Sequence, residues 1–166
     1  MDKPRYSFFH SLMQKIASSA WGSRLLSRTL HQADGIFLKA SKGRMTLSSI
    51  LTGLRVVVLT TTGAKSGLPR SVPLLCIRAS DNSDQLAVIA SNWGQGHHPA
   101  WYFNLKASPH ATCSLGGNLR TYMAHEASGD EYEKYWNCAE ETYIGYPLYK
   151  QRAGGRRIPI MVLTPE

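Results

Sequence analysis

The sequence predicts an α+β protein: a small antiparallel barrel of about six strands, with helices inserted between strands and an amphipathic helix in front. Three observations carry that expectation. Short β-rich runs recur after residue 55 with turn residues between them. The helical segments fall at irregular places, and the regular βαβ alternation of a doubly wound sheet is missing. At 166 residues the chain has the length of one domain, and a chain of this size buries about two-thirds of its unfolded surface without needing a disulfide or a metal.

In chain order, residues 5–21 come first. Phe8, Phe9, Leu12, Met13, Ile16, Ala20 and Trp21 recur at helical spacing, with Ser11, Gln14, Lys15, Ser18 and Ser19 between them. Two readings stand side by side: a helix that caps the open side of the domain, or an interfacial helix that lies on a membrane. Residues 35–55, with Gly35, Gly43 and Gly53 and four bases, read as a loose connector. Val56 to Thr61 is a β-branched run that predicts a buried strand, ended by Thr62-Gly63. Gly63 to Pro69 is a turn, and Arg70 to Arg78 a second strand in which Pro73 predicts an edge or a bulge. A third strand, Gln85 to Ser91, follows the turn Asp81-Asn82-Ser83-Asp84.

Asn92 to Gly96 is a loop, and Pro99 is expected at the first position of a helix over 100–106 that Ser108-Pro109 stops. Gly116-Gly117-Asn118 predicts a hairpin between strands at 111–115 and 119–127. Ser128 to Glu131 opens a helix carrying Tyr132, Tyr135, Trp136 and Ala139, and Ile158 to Leu163 is the last strand.

Composition narrows the function classes. Hydrophobic residues make up 43% and charged residues 18%, which excludes a mostly disordered chain. The formal net charge is +8, and residues 1–55 hold nine bases against two acids, which leaves the body close to neutral. The expected division is therefore a basic arm, 1–54, and a binding domain, 55–166. The arm points to an anionic partner. Cys76, Cys113 and Cys138 lie far apart with no metal-ligand spacing, so neither a disulfide framework nor a metal site is expected. No run approaches the ~18 apolar residues of a membrane span, and His10, Gln14 and Lys15 interrupt what would be a secretory signal. The expected location is cytoplasmic, with the inner face of the plasma membrane open to the arm.

Three stretches carry candidate chemistry. Thr62-Gly63-Ala64-Lys65-Ser66-Gly67 fails as a Walker loop, since Ala64 and Leu59 stand where that pattern needs glycines. A Gly-flanked Lys-Ser turn can still hold an anion through backbone N–H groups and the ammonium, with Arg70 completing the clamp. A plain hairpin with solvated cations is an equal reading. Ser91 to Tyr102 gathers amide, hydroxyl, imidazole and indole groups at a strand-to-helix junction, but adjacent His97 and His98 are not spaced as metal ligands; capping and surface roles are their default. Tyr143, Tyr146 and Tyr149 step by three in a helical segment and can face one pocket. A phenol there can hydrogen-bond to or protonate a bound carbonyl or nitro group, although such a stripe alone is more often packing.

Over residues 55–164 the chain resembles the deazaflavin (coenzyme F420)-dependent nitroreductases and quinone reductases. The markers fall in family order: Leu59 to Arg70, Val72-Pro73-Leu74, Ala90-Ser91-Asn92, His98 to Leu105, the three tyrosines, and Ile158-Pro159. The resemblance implies a split β-barrel of the FMN-binding kind and a coenzyme that carries a 5-deazaflavin, a lactyl phosphate and a polyglutamate tail. It implies that Ala64, Lys65, Ser66 and Arg70 contact the phosphate, and that Ser71, Val72, Pro73, Leu74 and Leu75 run along the coenzyme. It further implies that Ile89, Ala90, Ser91 and Asn92, with Ala100, Trp101, Tyr102, Phe103 and Asn104, surround the ring. Tyr143, Tyr146 and Tyr149 fall on the substrate side, with Tyr146 also at the coenzyme and Ser91 near the reacting edge. Asn92, where nitroimidazole-reducing relatives have Lys, and the loop Ala153 to Arg157 depart from the family and bear on the substrate.

The expected activity is hydride transfer from the reduced deazaflavin to a quinone or conjugated carbonyl, with nitro compounds as side acceptors and Tyr146 as the leading proton donor, supported by Ser91 and Tyr143. Two other readings remain. The same barrel could hold FMN or haem, or the chain could be a non-catalytic protein whose arm binds anionic lipid or nucleic acid; nucleic acid is not the expected partner. A homodimer is left open.

Overall fold

The computed structural model describes residues 8–19, 21–22, 49, 52–79 and 84–166. Helix α1 spans Phe8–Ser18. Strands β1 (Val56–Thr62), β2 (Pro69–Leu75) and β3 (Leu86–Ile89) follow. After the short 3-10 turn Asn92–Gly94 and helix α2 (Ala100–Ala107) come β4 (His110–Leu115) and β5 (Asn118–Glu126). Helices α3 (Gly129–Thr142) and α4 (Gly145–Arg152) lead into β6 (Ile160–Pro165).

The six strands form one sheet in the order β2-β1-β4-β5-β6-β3, with every neighbouring pair antiparallel. The sheet curls until the chain just after β2 meets β3: Ile77 and Ala87 exchange backbone hydrogen bonds of 2.9 and 2.8 Å. Because side chains alternate across a strand, the curl creates two cores. Leu86 and Val88 of β3, with Met161 and Leu163 of β6, join Val57, Leu59 and Cys113 inside the barrel, where Trp101 and Leu105 of α2 close one end. The alternate residues Ala87, Ile89, Ile160 and Val162 pack outward against Tyr135, Trp136 and Ala139 of α3. Both faces of β3 and of the first four residues of β6 are thus covered, which is why Leu86–Ile89 and residues 160–163 are apolar throughout. Each such Val, Leu or Ile contributes about 1.5–3 kcal/mol on burial.

The hairpin β4–β5 turns through Gly116 and Gly117 at φ 60° and 88°, the region a two-residue primed turn requires. Pro73 lies opposite Val58 on β2, an edge strand in the sheet order, where a missing N–H costs least.

Some elements depart from the sequence expectation. Pro99 is the residue before α2, in extended conformation, rather than its first helical residue. Tyr143 terminates α3 in an extended conformation, while Tyr146 and Tyr149 belong to α4, so the three do not share a helix. Gly145 makes the junction feasible, because a Cβ there would collide with the Tyr143 ring. Helix α1 packs on α4 but turns Gln14, Ala17 and Ser18 inward, while Leu12 and Ile16 stay 46% and 47% exposed. Polar Gln14 is accommodated because its amide donates to the Thr52 carbonyl at 2.8 Å. Arg152 Nη2 donates to the Ser18 carbonyl. Ala20, most of the connector over 35–55 and residues 81–83 of the acidic turn lie outside the described residues.

Candidate active site

A cleft of about 960 Å³ opens between the edge strand β2, the β3 end, α2, the α3–α4 junction and α1. At one end the turn after β1 is tied by its own backbone: Gly63 N–H donates to Leu68 O at 2.9 Å and Gly67 N–H to Gly63 O at 2.7 Å, with Gly67 at φ 67°. Asn104, buried on α2, holds the turn from the side. Its Oδ1 accepts the Ala64 N–H at 3.0 Å, and its Nδ2 donates to Thr61 Oγ1 at 3.0 Å. Ala64 N–H is thereby committed, as is Ser66 N–H, which donates to Gly63 O. The backbone cradle read from the sequence is reduced to Lys65 N–H among the described residues. What the turn offers an anion is mainly side chains: Lys65, Ser66 and Arg70 are exposed along the cleft.

At the β3 end the chain makes a tight passage. Asn92 and Trp93 have φ 48° and 59°, and Gly94 follows at 78°. Asn tolerates this region, whereas Trp does not, and such a residue costs on the order of 1–3 kcal/mol unless neighbours hold it. Asn92 Nδ2 donates to the His97 carbonyl at 3.0 Å, and the Trp93 ring meets Tyr149 edge-on at 6.2 Å. Arg156, before β6, reaches into the same passage. Its guanidinium donates to Ser91 O at 2.9 Å, Gln95 O at 3.1 Å and Ala90 O at 3.3 Å, and Nη1 lies 2.8 Å from His98 Nδ1. Burial and then the Arg156 charge hold the His98 imidazole below its usual pKa. The Ser91 side chain lines the cleft at 8% residue exposure, and its hydroxyl makes no hydrogen bond among the described residues.

The three tyrosines converge despite lying on two helices. Tyr149 Oη donates to the Ala17 carbonyl of α1 at 3.4 Å, so in the 3.0 Å contact between Tyr143 Oη and Tyr149 Oη the donor is Tyr143. Both phenolic hydrogens are committed. Tyr146 lines the cleft at 3% exposure, and its Oη has no hydrogen-bond partner among the described residues. Burial pushes its pKa up, so it remains a protonated donor throughout the neutral range.

Of the residues the sequence assigned, all but two line the cleft. Ala90 points into the barrel core, because the alternation of β3 continues through it. Tyr102 turns away to donate to Glu126 Oε2 at 3.0 Å, where Lys106 also binds at 3.1 Å. Asn104 lines the cleft, but its amide is used by Thr61 and Ala64. Sequence reasoning missed Met13, Ala17 and Leu54 on the wall near the tyrosines, while Trp93 and His98, singled out within the Ser91–Tyr102 stretch but given no site role, also line the cleft. Arg156 lies in the loop noted for departing from the family, but its contacts lie some sixty residues back along the chain, and no local pattern could have revealed them.

The curled antiparallel sheet is a split barrel, and its side cleft, apolar along its length and cationic at one end, has the form of a small-molecule site. The cleft fits a flat ring with an anionic arm: Ile89, Trp101 and Pro73 give apolar surface, and Lys65 and Arg70 give charge. The F420H(2)-dependent quinone reductase family matches residues 34–165, and the chain belongs to that family. It is therefore an oxidoreductase, and its cofactor is reduced coenzyme F420. The F420H(2)-dependent quinone reductase Rv1261c of Mycobacterium tuberculosis is 32% identical over 111 residues, 65% of this chain and 72% of its own. Among solved structures, an F420-H2 dependent reductase, FDR-A, superposes with a TM-score of 0.58 at 38% identity, covering 65% of this chain and 92% of its own. A chain described as a domain-swapped dimer gives 0.61 at 33% identity, covering 86% and 96%.

Proposed function

We propose that the chain reduces a quinone or a similarly electron-poor carbonyl compound, with nitroaromatics as slower side acceptors. Bound reduced coenzyme supplies a hydride. The chain's own residues position and polarise. Lys65, Ser66 and Arg70 hold the phosphate, the segment Arg70 to Leu75 runs along the coenzyme, and Ser91, Asn92 and the start of α2 face the ring. Tyr146 donates its phenolic proton to the acceptor oxygen, so that a hydride and a proton together convert quinone to hydroquinone, and Ser91 supports the same edge. The observation that carries this reading is the unpartnered Tyr146 hydroxyl in an apolar cleft, beside two tyrosines whose hydrogens are already used.

Single-turnover oxidation of the reduced coenzyme by menadione tests it. Tyr146→Phe is expected to slow the reaction about 100-fold, the low end of general-acid catalysis, and Ser91→Ala to slow it less; if neither changes the rate, these roles are wrong. Titration with FMN and haem under the same conditions should give no tight complex.

The arm, 1–54, is read as the element that meets an anionic membrane, where a lipophilic quinone resides. What favours this is α1, which presents Leu12 and Ile16 outward beside exposed Lys15 in a strongly basic segment. Co-sedimentation with vesicles of phosphatidylglycerol and phosphatidylcholine tests it. Leu12→Asp combined with Ile16→Asp should abolish binding, and binding equal to wild type would refute the role. Among the described residues no helix is long and apolar enough to cross a membrane.

A further inference from the structure

We infer that Arg156 is the positioning residue for the coenzyme side of the cleft: its guanidinium holds residues 90–98 in the shape that presents Ser91 and Asn92 to the ring. The inference rests on the reading that the ring lies against this segment. A guanidinium is a planar fork of donors with no acceptor, and apart from a 3.4 Å contact of Nη1 to the Arg157 carbonyl Arg156 uses that fork on one stretch of chain. Ala90 O, Ser91 O and Gln95 O accept from it, and so does His98 Nδ1. The acceptors bracket the left-handed residues Asn92 and Trp93, whose backbone would otherwise relax toward ordinary φ. No carboxylate is among the hydrogen-bond partners of Arg156; its task is geometric, with one side chain over-determining a strained turn. The base of the side chain is fixed in turn, since Arg156 N–H donates to Ala153 O at 3.1 Å at the end of α4.

The contact with His98 adds a chemical condition. Because the guanidinium can only donate, Nδ1 must be the unprotonated nitrogen, and the ring proton sits on Nε2. The groups facing this imidazole are Arg156 from the connection to β6, Glu126 from β5, its neighbour His97, and the rings of Tyr102 and Phe103 from α2. Protonating His98 sets two cations against each other and opens the same clamp from the other side.

The full chain carrying Arg156→Ala, Arg156→Lys or, as a control, Val162→Ala in the buried core of β6 tests this. Without coenzyme, the readouts are amide hydrogen exchange and the His98 ring titration by NMR. With reduced coenzyme F420, they are its dissociation constant and single-turnover oxidation by menadione. In Arg156→Ala the amides of residues 91–98 should exchange at least tenfold faster while those of β5 and β6 keep their protection, and the His98 pKa should rise toward its ordinary value. Coenzyme binding should weaken at least fivefold and turnover slow at least tenfold, with the menadione KM within twofold. Arg156→Lys, which cannot span four acceptors, should fall between, and it carries the same readings if the alanine variant does not fold. Val162→Ala should lower stability and leave exchange at 91–98 and coenzyme affinity as in wild type. Wild-type exchange and affinity in Arg156→Ala, or the same pattern in Val162→Ala, would overturn the proposal. A wild-type chain that binds no coenzyme overturns the functional reading instead, and exchange with the His98 titration then decides the clamp alone.

Discussion

Asn104 offers a direct measure of how the cationic turn is held. Asn104→Ala removes the acceptor of the Ala64 N–H and the donor to Thr61 Oγ1, two hydrogen bonds of 3.0 Å each. Ala64 is exposed, so water replaces its lost partner. Thr61 is buried and has no such recourse, although its hydroxyl can still reach the Arg70 carbonyl at 3.5 Å. At about 1 kcal/mol per net hydrogen bond, plus part of the penalty for a buried oxygen that loses a donor, the expected loss is roughly 2–3 kcal/mol. For a domain of this size that lowers Tm by roughly 5–10 °C. Lys106→Ala, on the same helix, breaks an exposed ion pair with Glu126 and should stay within about 0.5 kcal/mol of wild type. Thermal unfolding by circular dichroism reads both variants. Coenzyme titration should show Asn104→Ala weakened about fivefold, because Lys65 and Ser66 lose their fixed position. A Tm within 2 °C of wild type (about 0.5–1 kcal/mol) would refute the tether, and an unchanged affinity would refute its link to the anion end.

Lys65→Ala and Arg70→Ala should each weaken coenzyme binding about 3–10-fold and flatten its dependence on salt, read by fluorescence titration at two ionic strengths; equal salt slopes would show that these cations do not meet the phosphate. Gly94→Ala places a Cβ about 3.1 Å from Tyr149 Cα and O and Arg152 Cβ at φ 78°, and should cost roughly 1–3 kcal/mol in urea unfolding; an unmoved midpoint would contradict the packing of the ring-end turn on α4. His98 predicts a pH effect with a fixed sign. Burial and the Arg156 charge hold its folded pKa below the ordinary imidazole value of about 6.5, so just under that pH the unfolded chain binds a proton that the folded chain does not. Stability should fall as pH drops through that window, and His98→Gln should remove this part of the slope; identical slopes at pH about 7.5 and about 5.5 would count against it.

β-Branched runs and turn chemistry were enough to read the barrel, because Val56 to Thr61 marks β1 and the Gly116-Gly117 turn joins β4 to β5. What could not be read locally is what depends on tertiary reach. The strands β3 and β6 show unbroken apolar runs, and only the curl of the sheet decides which side chain enters which core. Periodicity gives helix α1 an apolar face through Leu12 and Ile16, yet the side turned inward holds Gln14, whose amide donates to the distant Thr52 carbonyl. The three tyrosines looked like one helical stripe; instead, a helix end and a new start at Gly145 bring them together. At the site, the motif positions fall around the cleft except Ala90 and Tyr102, which a strand alternation and a distant carboxylate turn elsewhere. The residues that shape the cleft from afar, Arg156 above all, act through carbonyl oxygens, which every residue carries and no sequence pattern marks.

The direction of the tyrosine hydrogen bonds has a consequence for what leaves the cleft. With Tyr143 donating to Tyr149 and Tyr149 to the α1 carbonyl, the Tyr143 oxygen keeps a lone pair and has no hydrogen to give. Tyr146 is the opposite, a donor in search of an acceptor. On the proposed function, a quinone, which has only acceptor oxygens, would find its donor among the three tyrosines in Tyr146, while the hydroxyl hydrogens of the hydroquinone could also be accepted by Tyr143. Breaking the Tyr149 contact to α1 would free the Tyr143–Tyr149 hydrogen bond to reverse, and Tyr143 would then have a hydrogen to give.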